Sequence, residues 1–556
     1  MDILFLTSAH NSLSQRLWVE LTEQQYRVQV VVVGGPADME AAVQQHRPDL
    51  VLCPMLTARI PDTVWRNYPC LIVHPGVVGD RGPSSLDWAL MEGESRWGVT
   101  VLQAIDEMDA GPVWASQEFA LPPGLQRKSS LYRHQVTEAA VIAVQEALAR
   151  FKAGEQPRPL AEFPAARGQL KPQMRQQDRQ IHWHQDSPQT VVRKVAAADS
   201  RPGVRARLAG QELWLFGAWQ DDSLQGEPGA LLARHGEAVA VGCAGGGVWL
   251  THLMTRQGPL ADIKLPALRV LNNPALPVRE DAPCREIRYR RDGDVGVLSF
   301  PFYNGAMGTE QCLALRDAYR EACAQPTRAL ILEGGEDFFS NGIHLNWIEA
   351  ADDPAEESWR NIQAMDDLVL AILTTDEQWV VSGLMGNAGA GGAMLALAAD
   401  QVLARHSVIL NPHYRSMGGL YGSEYWTYLL PRRVGAEKAA ALTQECLPLG
   451  ALQARELGLV DGVFTGDAGE FRRWLHKEVA DKVADRQAWL QCLIDKQHRR
   501  QHDEMHRPLA SYREAELLRM YENFFGVDRS YHLARRQFVR GCQAVPSTVD
   551  RQRRCG

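Results

Sequence analysis

No two of the ten cysteines in this sequence stand in a CxxC spacing, and they are scattered along the chain. That removes the commonest zinc and dithiol frameworks and fits reduced thiols in a cytoplasmic protein. No apolar run is long enough to span a bilayer, so no membrane segment is expected. The first residues, Met1-Asp2-Ile3-Leu4-Phe5-Leu6, lack a basic flank and read as a first β-strand rather than a secretory signal. Positive charge is in short supply: 59 Lys and Arg against 67 Asp and Glu leave a formal net charge of −8. Broad binding to nucleic acid or to anionic membranes is therefore disfavoured. No GxGxxG follows the first strand, where Thr7-Ser8-Ala9-His10-Asn11-Ser12 stands, so a dinucleotide site is not expected. Internal repeats are missing as well.

What is present is 556 residues with 45% hydrophobic and 23% charged content, enough for three or four buried cores. Residues 1–165 alternate apolar strands (3–6, 28–33, 50–53 and 71–73) with helical patterns. The first crossover helix is expected over residues 12–21. Such alternation predicts a parallel α/β domain. Residues 157–172 are proline-rich and read as a linker. Residues 173–270 combine short strands with glycine and predict a small β-barrel-like domain. Its Gly245-Gly246-Gly247 reads as a hairpin turn, because no Lys-Ser/Thr follows. A second proline-rich junction leads to an α/β domain over residues 284–465, and residues 466–556 read as a helical extension. The fold class is α/β multidomain.

The strand Leu71-Ile72-Val73-His74-Pro75-Gly76 is followed by Arg81-Gly82-Pro83, Gly98-Val99-Thr100 and Asp109-Ala110-Gly111. A lone His-Pro or Asp-x-Gly is ordinarily a turn, but four motifs in this order resemble the 10-formyltetrahydrofolate-dependent formyltransferases. The resemblance implies a Rossmann-like domain with His74 as catalytic histidine and Asp109 as its carboxylate partner. An oriented imidazole can move a proton between an attacking nucleophile and a leaving nitrogen. It further places Ile72, Arg81 and Ser85 at the folate site, with Ile72 where the family carries asparagine. Asp178 to Trp183 and Ala198 to Val204 resemble the start of the small C-terminal domain of the same enzymes.

Further on, Phe339-Ser340-Asn341-Gly342-Ile343 and the glycine-rich turn from Gly386 to Gly392 resemble the two halves of a crotonase (enoyl-CoA hydratase/isomerase) oxyanion hole. The resemblance implies a ββα spiral domain whose Ile343 and Gly391 N–H groups face a thioester oxygen. The two positions where hydratases carry glutamate hold Met394 and Tyr414. Methionine moves no proton and tyrosine is a poor base at neutral pH, so water addition is disfavoured. Tyr414 and Glu424 are the ionisable candidates instead.

A formyltransferase half joined to a crotonase half, with Asn11-Ser12-Leu13-Ser14-Gln15-Arg16 near the start, resembles the family of hydrogenase maturation factors that make carbon monoxide. The implied route passes a formyl group from 10-formyltetrahydrofolate to coenzyme A, then splits formyl-CoA into CO and CoA. [NiFe]-hydrogenase assembly proteins would receive the gas. Six residues are candidates for coenzyme A: Ser14, Gln15, Arg16, Lys128, Ser200 and Arg540. Helix capping and surface charge are the plainer reading of the first three. His498, His502 and His506 share one helix face, which reads as a solvated polar surface, and no metal is assigned. Two other functions stay open: a conventional formyltransferase fused to an acyl-CoA hydratase or isomerase, and a non-catalytic carrier of coenzyme A or a one-carbon unit.

Overall fold

The computed structural model describes residues 1–122, 124 and 126–541. They divide into two compact units, separated between Arg285 and Glu286, and each is described by itself.

The first unit opens with β1 (Asp2–Thr7), β2 (Arg27–Val32), β3 (Leu50–Cys53), β4 (Cys70–His74), β5 (Arg96–Gln103) and β6 (Val113–Ala120). They form one sheet in the order β2-β1-β3-β4-β5-β6. The pairs among β1 to β4 are parallel, while β4–β5 and β5–β6 are antiparallel. β3 is buried throughout, as expected of a strand covered on both faces. Helix Ser12–Glu23 starts at Asn11, whose side chain accepts from the N–H of Ser14. One apolar cluster joins this helix and Thr137–Lys152 to the sheet; a second, on Met39, Val43 and Val64, covers the other face. His74 thus lies at the carboxyl end of a parallel strand, where open α/β sheets place their ligands.

The small domain is an antiparallel sheet in the order Val204–Leu208, Gln211–Asp221, Gly246–Met254, Ala238–Cys243, Leu231–His235, with Lys264–Pro266 added beside Gly246–Met254. Cys243 pairs with Gly246, so the glycine run makes a hairpin turn. The proline-rich stretch before this domain is docked. Val113 and Arg158 exchange backbone hydrogen bonds of 2.8 and 2.9 Å. Further on, Gly168 N donates to Val78 O, Arg81 N to Gln169 O and Lys171 N to Arg81 O, at 3.0–3.1 Å. A Cβ on Gly168 would collide with the backbone nitrogen of Asp80. The segment therefore straps the loop that follows β4.

In the second unit a six-stranded sheet runs Arg288–Asp292, Val295–Ser299, Ala329–Glu333, Trp379–Leu384, Gln401–Arg405, Gly462–Phe464. All pairs but the first are parallel. After three of these strands the chain adds a short strand to a second sheet (Phe338–Ser340, Asn387–Gly389, Ile409–Asn411), which Leu449–Gly450 completes. This is the crotonase ββα spiral. Helix Pro354–Leu373 starts at Asp353, which accepts from two N–H groups, with proline in its first turn. Helix Ala468–Ala484 opens with a capping box between Asp467 and Glu470. Its Phe471, Leu475, Val479 and Val483 cover one face of the large sheet. Arg486–His506, Leu509–Phe525 and Ser530–Arg540 continue the helical extension.

Candidate active sites

His74 is buried, and its ring lies between two carboxylates. Nε2 is 2.8 Å from Asp80 Oδ2 and Nδ1 is 3.7 Å from Asp109 Oδ1. Of the pair named from sequence, Asp109 stands at ion-pair distance but beyond hydrogen-bond reach. Asp80 makes the short contact and is not among the residues that the sequence singles out. The close approach depends on Gly76, since a Cβ there would collide with both Asp80 Oδ2 and His74 Nε2. Asp109 has a left-handed backbone, φ 55°, and its Oδ2 accepts from Gly82 N at 3.4 Å. Ser85 Oγ and Trp97 Nε1 both donate to Pro75 O, at 2.8 and 2.9 Å, and Thr100 Oγ1 donates to Gly76 O at 2.8 Å. The loop after His74 is thereby fixed from two elements. Arg81 pairs with Glu107 at 2.6 Å, and its Nε is buried without a partner. Ile72 lies two residues before His74, between Cys53 and Leu102 in the ladder, and packs on an apolar cluster.

The residues named for coenzyme A are spread over both units. Ser14 Oγ donates to Asn11 O at 3.0 Å, Gln15 Nε2 donates to His10 O at 3.1 Å, and Arg16 bridges Glu20 at 2.6 Å. Lys128 Nζ reaches both Asp87 oxygens at 3.1 Å and Arg201 O at 2.8 Å. Burial pulls its ammonium below the usual range, against the pull of Asp87. Asp87 also holds the buried Arg179 at 3.1 Å. Ser200 O accepts from Lys264 Nζ at 3.0 Å, so Lys128 and Ser200 belong to one neighbourhood. Arg540 lies in the second unit, where it shares Glu349 with Arg535 and Arg536.

In the second unit Gly342–Ile343 pairs with Ala306–Met307, and Gly391 starts helix Gly391–Leu397. The first N–H groups of a helix have no partner inside it. A Cβ on Gly342, φ 77°, would lie 3.2 Å from Gly391 N, so the two halves of the cradle are adjacent. Asn361 braces the first half: its Nδ2 donates to Met307 O at 3.1 Å and its Oδ1 accepts from His344 N at 3.2 Å. A Cβ on Gly391 would collide with Glu424 Oε1. The carboxyl of Glu424 therefore rests against the cradle. Met394 is fully buried in the core.

Tyr414 donates its hydroxyl to Glu424 Oε2 at 2.8 Å. A Cβ on Gly422, φ 89°, would strike the Tyr414 ring, which fixes the ring's place. Glu424 and Tyr425 both have φ 58°, a conformation that persists in such residues only where surroundings enforce it. Two carboxyl groups do so. Asp366 accepts from Glu424 N at 2.8 Å and Ser423 Oγ at 2.9 Å; Glu516 accepts from Tyr425 N at 2.9 Å and Thr427 N at 2.8 Å. Burial, with Asp366 beside it, pushes Glu424 up to about 8. Burial likewise raises Asp366 to about 7 and Glu516 to about 8. Tyr414 is raised well above the usual tyrosine range, by burial first and by Glu424 second. A proton held at Glu424 near neutrality, with its carboxyl against Gly391 at a helix start, suits proton transfer. Asp366 and Glu516 escaped the sequence reading. Among the described residues no group of three His, Cys, Asp or Glu is placed to hold a metal ion.

Fold and sites together define a formyltransferase with its C-terminal domain, joined to a crotonase. Family models agree: "Formyl transferase" matches residues 33–148, "Formyl transferase, C-terminal domain" 173–265 and "Enoyl-CoA hydratase/isomerase" 304–530. The chain belongs to the HypX/HoxX family of hydrogenase maturation factors. It is 49% identical to the hydrogenase maturation factor HoxX of Bradyrhizobium diazoefficiens, over 97% of this chain and 94% of that one. The crystal structure of HypX from Aquifex aeolicus in complex with tetrahydrofolic acid superposes with a TM-score of 0.93 at 43% identity, covering 98% of this chain and 97% of that chain. The chain is also 32% identical to methionyl-tRNA formyltransferase of Thermotoga neapolitana over 188 residues, 34% of this chain and 58% of that one.

Proposed function

We propose that this protein makes carbon monoxide for hydrogenase assembly, in two steps at two sites. In the first, a formyl group passes from 10-formyltetrahydrofolate to the thiol of coenzyme A. The S–H and C–N bonds break, S–C and N–H form, and His74 carries the proton between them beside Asp109. The relative crystallised with tetrahydrofolic acid supports a folate substrate here. A thiol needs less proton management than an amine, which suits a site with Ile72 in place of an amide.

In the second step formyl-CoA loses CO. The C–H and C–S bonds break, an S–H bond forms, and no external reductant is needed. The N–H groups of Ile343 and Gly391 hold the formyl oxygen, while Tyr414 and Glu424 carry the proton from carbon to sulfur. The observation that carries this reading is the Glu424 carboxyl, hydrogen-bonded to Tyr414 and pressed on Gly391. A hydratase would need a carboxylate where Met394 stands. Coenzyme A supplies the thiol; Ser14, Gln15, Arg16, Lys128 and Ser200 are its candidate contacts in the first unit, and Arg540 is the candidate in the second. The protein acts in the cytoplasm, where hydrogenase assembly proteins receive the CO. Incubation with 10-formyltetrahydrofolate and coenzyme A, with CO trapped by a haem reporter, tests the reading. CO that requires both compounds supports it; folate turnover or CoA binding without CO overturns it.

A further inference from the structure

The shorter of the two carboxylate contacts to the His74 ring is made by a residue that the formyltransferase pattern does not include. Asp80 Oδ2 lies 2.8 Å from His74 Nε2, with the side chains of His74 and Asp80 only 5% and 2% exposed. Asp109, on the other ring nitrogen, is 3.7 Å away and 14% exposed. The arrangement is built in. Gly76 leaves the space for it, and Gly168 presses on the backbone of Asp80 from the strap. Asp80 N also donates to Val77 O at 2.9 Å. A carboxylate only accepts, so Nε2 must donate, and the ring proton is fixed on the buried side.

We infer that Asp80 is a positioning residue that holds His74 with its proton on Nε2, leaving Nδ1, the nitrogen facing Asp109, to take and give the proton in formyl transfer. This refines the formyl-transfer reading above and rests on it for the reaction, though not for the tautomer. A thiol must lose its proton as it attacks, so the accepting nitrogen has to be free and aimed before the acyl carbon arrives. When Nδ1 takes that proton the imidazolium stands between two carboxylates. Asp80 then stabilises the cation without touching either substrate, as an orienting carboxylate does in hydrolytic triads. Among the described residues Asp80 and Asp109 are the ion-pair partners of the ring, and Arg81 is engaged with Glu107. When Nδ1 returns the proton to the folate nitrogen, the ring is back in its starting form.

The test is Asp80→Asn in the full chain, a near-isosteric change that removes the charge. Turnover of 10-formyltetrahydrofolate with coenzyme A should fall about 100-fold or more in kcat, with KM for folate unchanged. The acid limb of the pH profile should move about one unit lower, because the imidazolium loses a counter-charge. Wild-type kcat in the variant, or a loss with an unmoved acid limb, overturns the inference. A second measurement needs neither the variant nor the reaction: 15N NMR of His74 in the unsubstituted protein. A proton on Nε2 with bare Nδ1 in the neutral ring supports the inference, and the opposite tautomer overturns it. If coenzyme A is no acceptor at all, the reading of the preceding section fails while the tautomer still decides this one.

Discussion

Glu424 stands where it does because residue 391 has no side chain. Gly391→Ala would put a methyl group into the space of Oε1, and the rigid helix start leaves the carboxyl as the part that moves. CO release from added formyl-CoA should fall by about two orders of magnitude or more, with thermal stability little changed. Tyr414→Phe and Glu424→Gln keep shape but remove the proton carriers. Each should slow CO release by about 10²- to 10⁴-fold while formyl transfer to coenzyme A continues, so formyl-CoA accumulates and is measured by chromatography. Release at the unmodified rate would leave catalysis to the backbone N–H groups alone. His74 and Asp109 could be named from motifs with a fixed order, and Tyr414 and Glu424 from the place where hydratases carry glutamate; the structure puts each pair side by side. Asp80 was not named: its partner is six residues away, and only the fold of the loop reveals that the two meet.

Elements that bury a stripe were as readable as the motifs, because alternation of strand and helix shows in hydropathy alone. Four predicted strands of the first sheet and its first helix fall within the observed elements or a residue of them. Buried carboxyl groups need a closer look at the same stripe. Asp366 sits among Ile362, Met365, Val369 and Ile372 of one helix, and Glu516 shares a face with Leu509 and Met520 of another. An acid inside an apolar stripe is the signal that could have found them. Three carboxyl groups raised to about 7, 8 and 8 also make stability depend on pH. Unfolded, they would titrate near 4, so the folded chain binds protons that the unfolded chain releases. Their contribution is whole below about pH 4 and is lost as pH rises through 7 to 8. Each group changes stability by at most about 1.4 kcal/mol per pH unit. Urea midpoints of the full chain should therefore fall between pH 5 and pH 8, and Glu516→Gln should flatten that fall. A slope unchanged by the substitution would remove Glu516 from the account.

At the scale of the whole molecule, the proline-rich stretch after the first domain proved more than a spacer. Composition marks such a segment as a linker, because the hydrogen bonds that dock it reach residues some 45 to 90 positions earlier and no local pattern records them. The two apolar clusters described for the first sheet lie within residues 1–151, so a chain ending at residue 155 keeps them. It lacks Gly168, Gln169 and Lys171, the partners of Val78 and Arg81. Such a fragment should keep a cooperative melting transition yet bind tetrahydrofolate at least tenfold more weakly than the full chain by calorimetry. The same feature orders events on the ribosome. As the nascent chain emerges, the first sheet can close around β4 before the strap exists, and His74 is then in place beside a loop still free to move. Only after Lys171 has cleared the exit tunnel can the loop be fastened, so the site matures later than the domain that carries it.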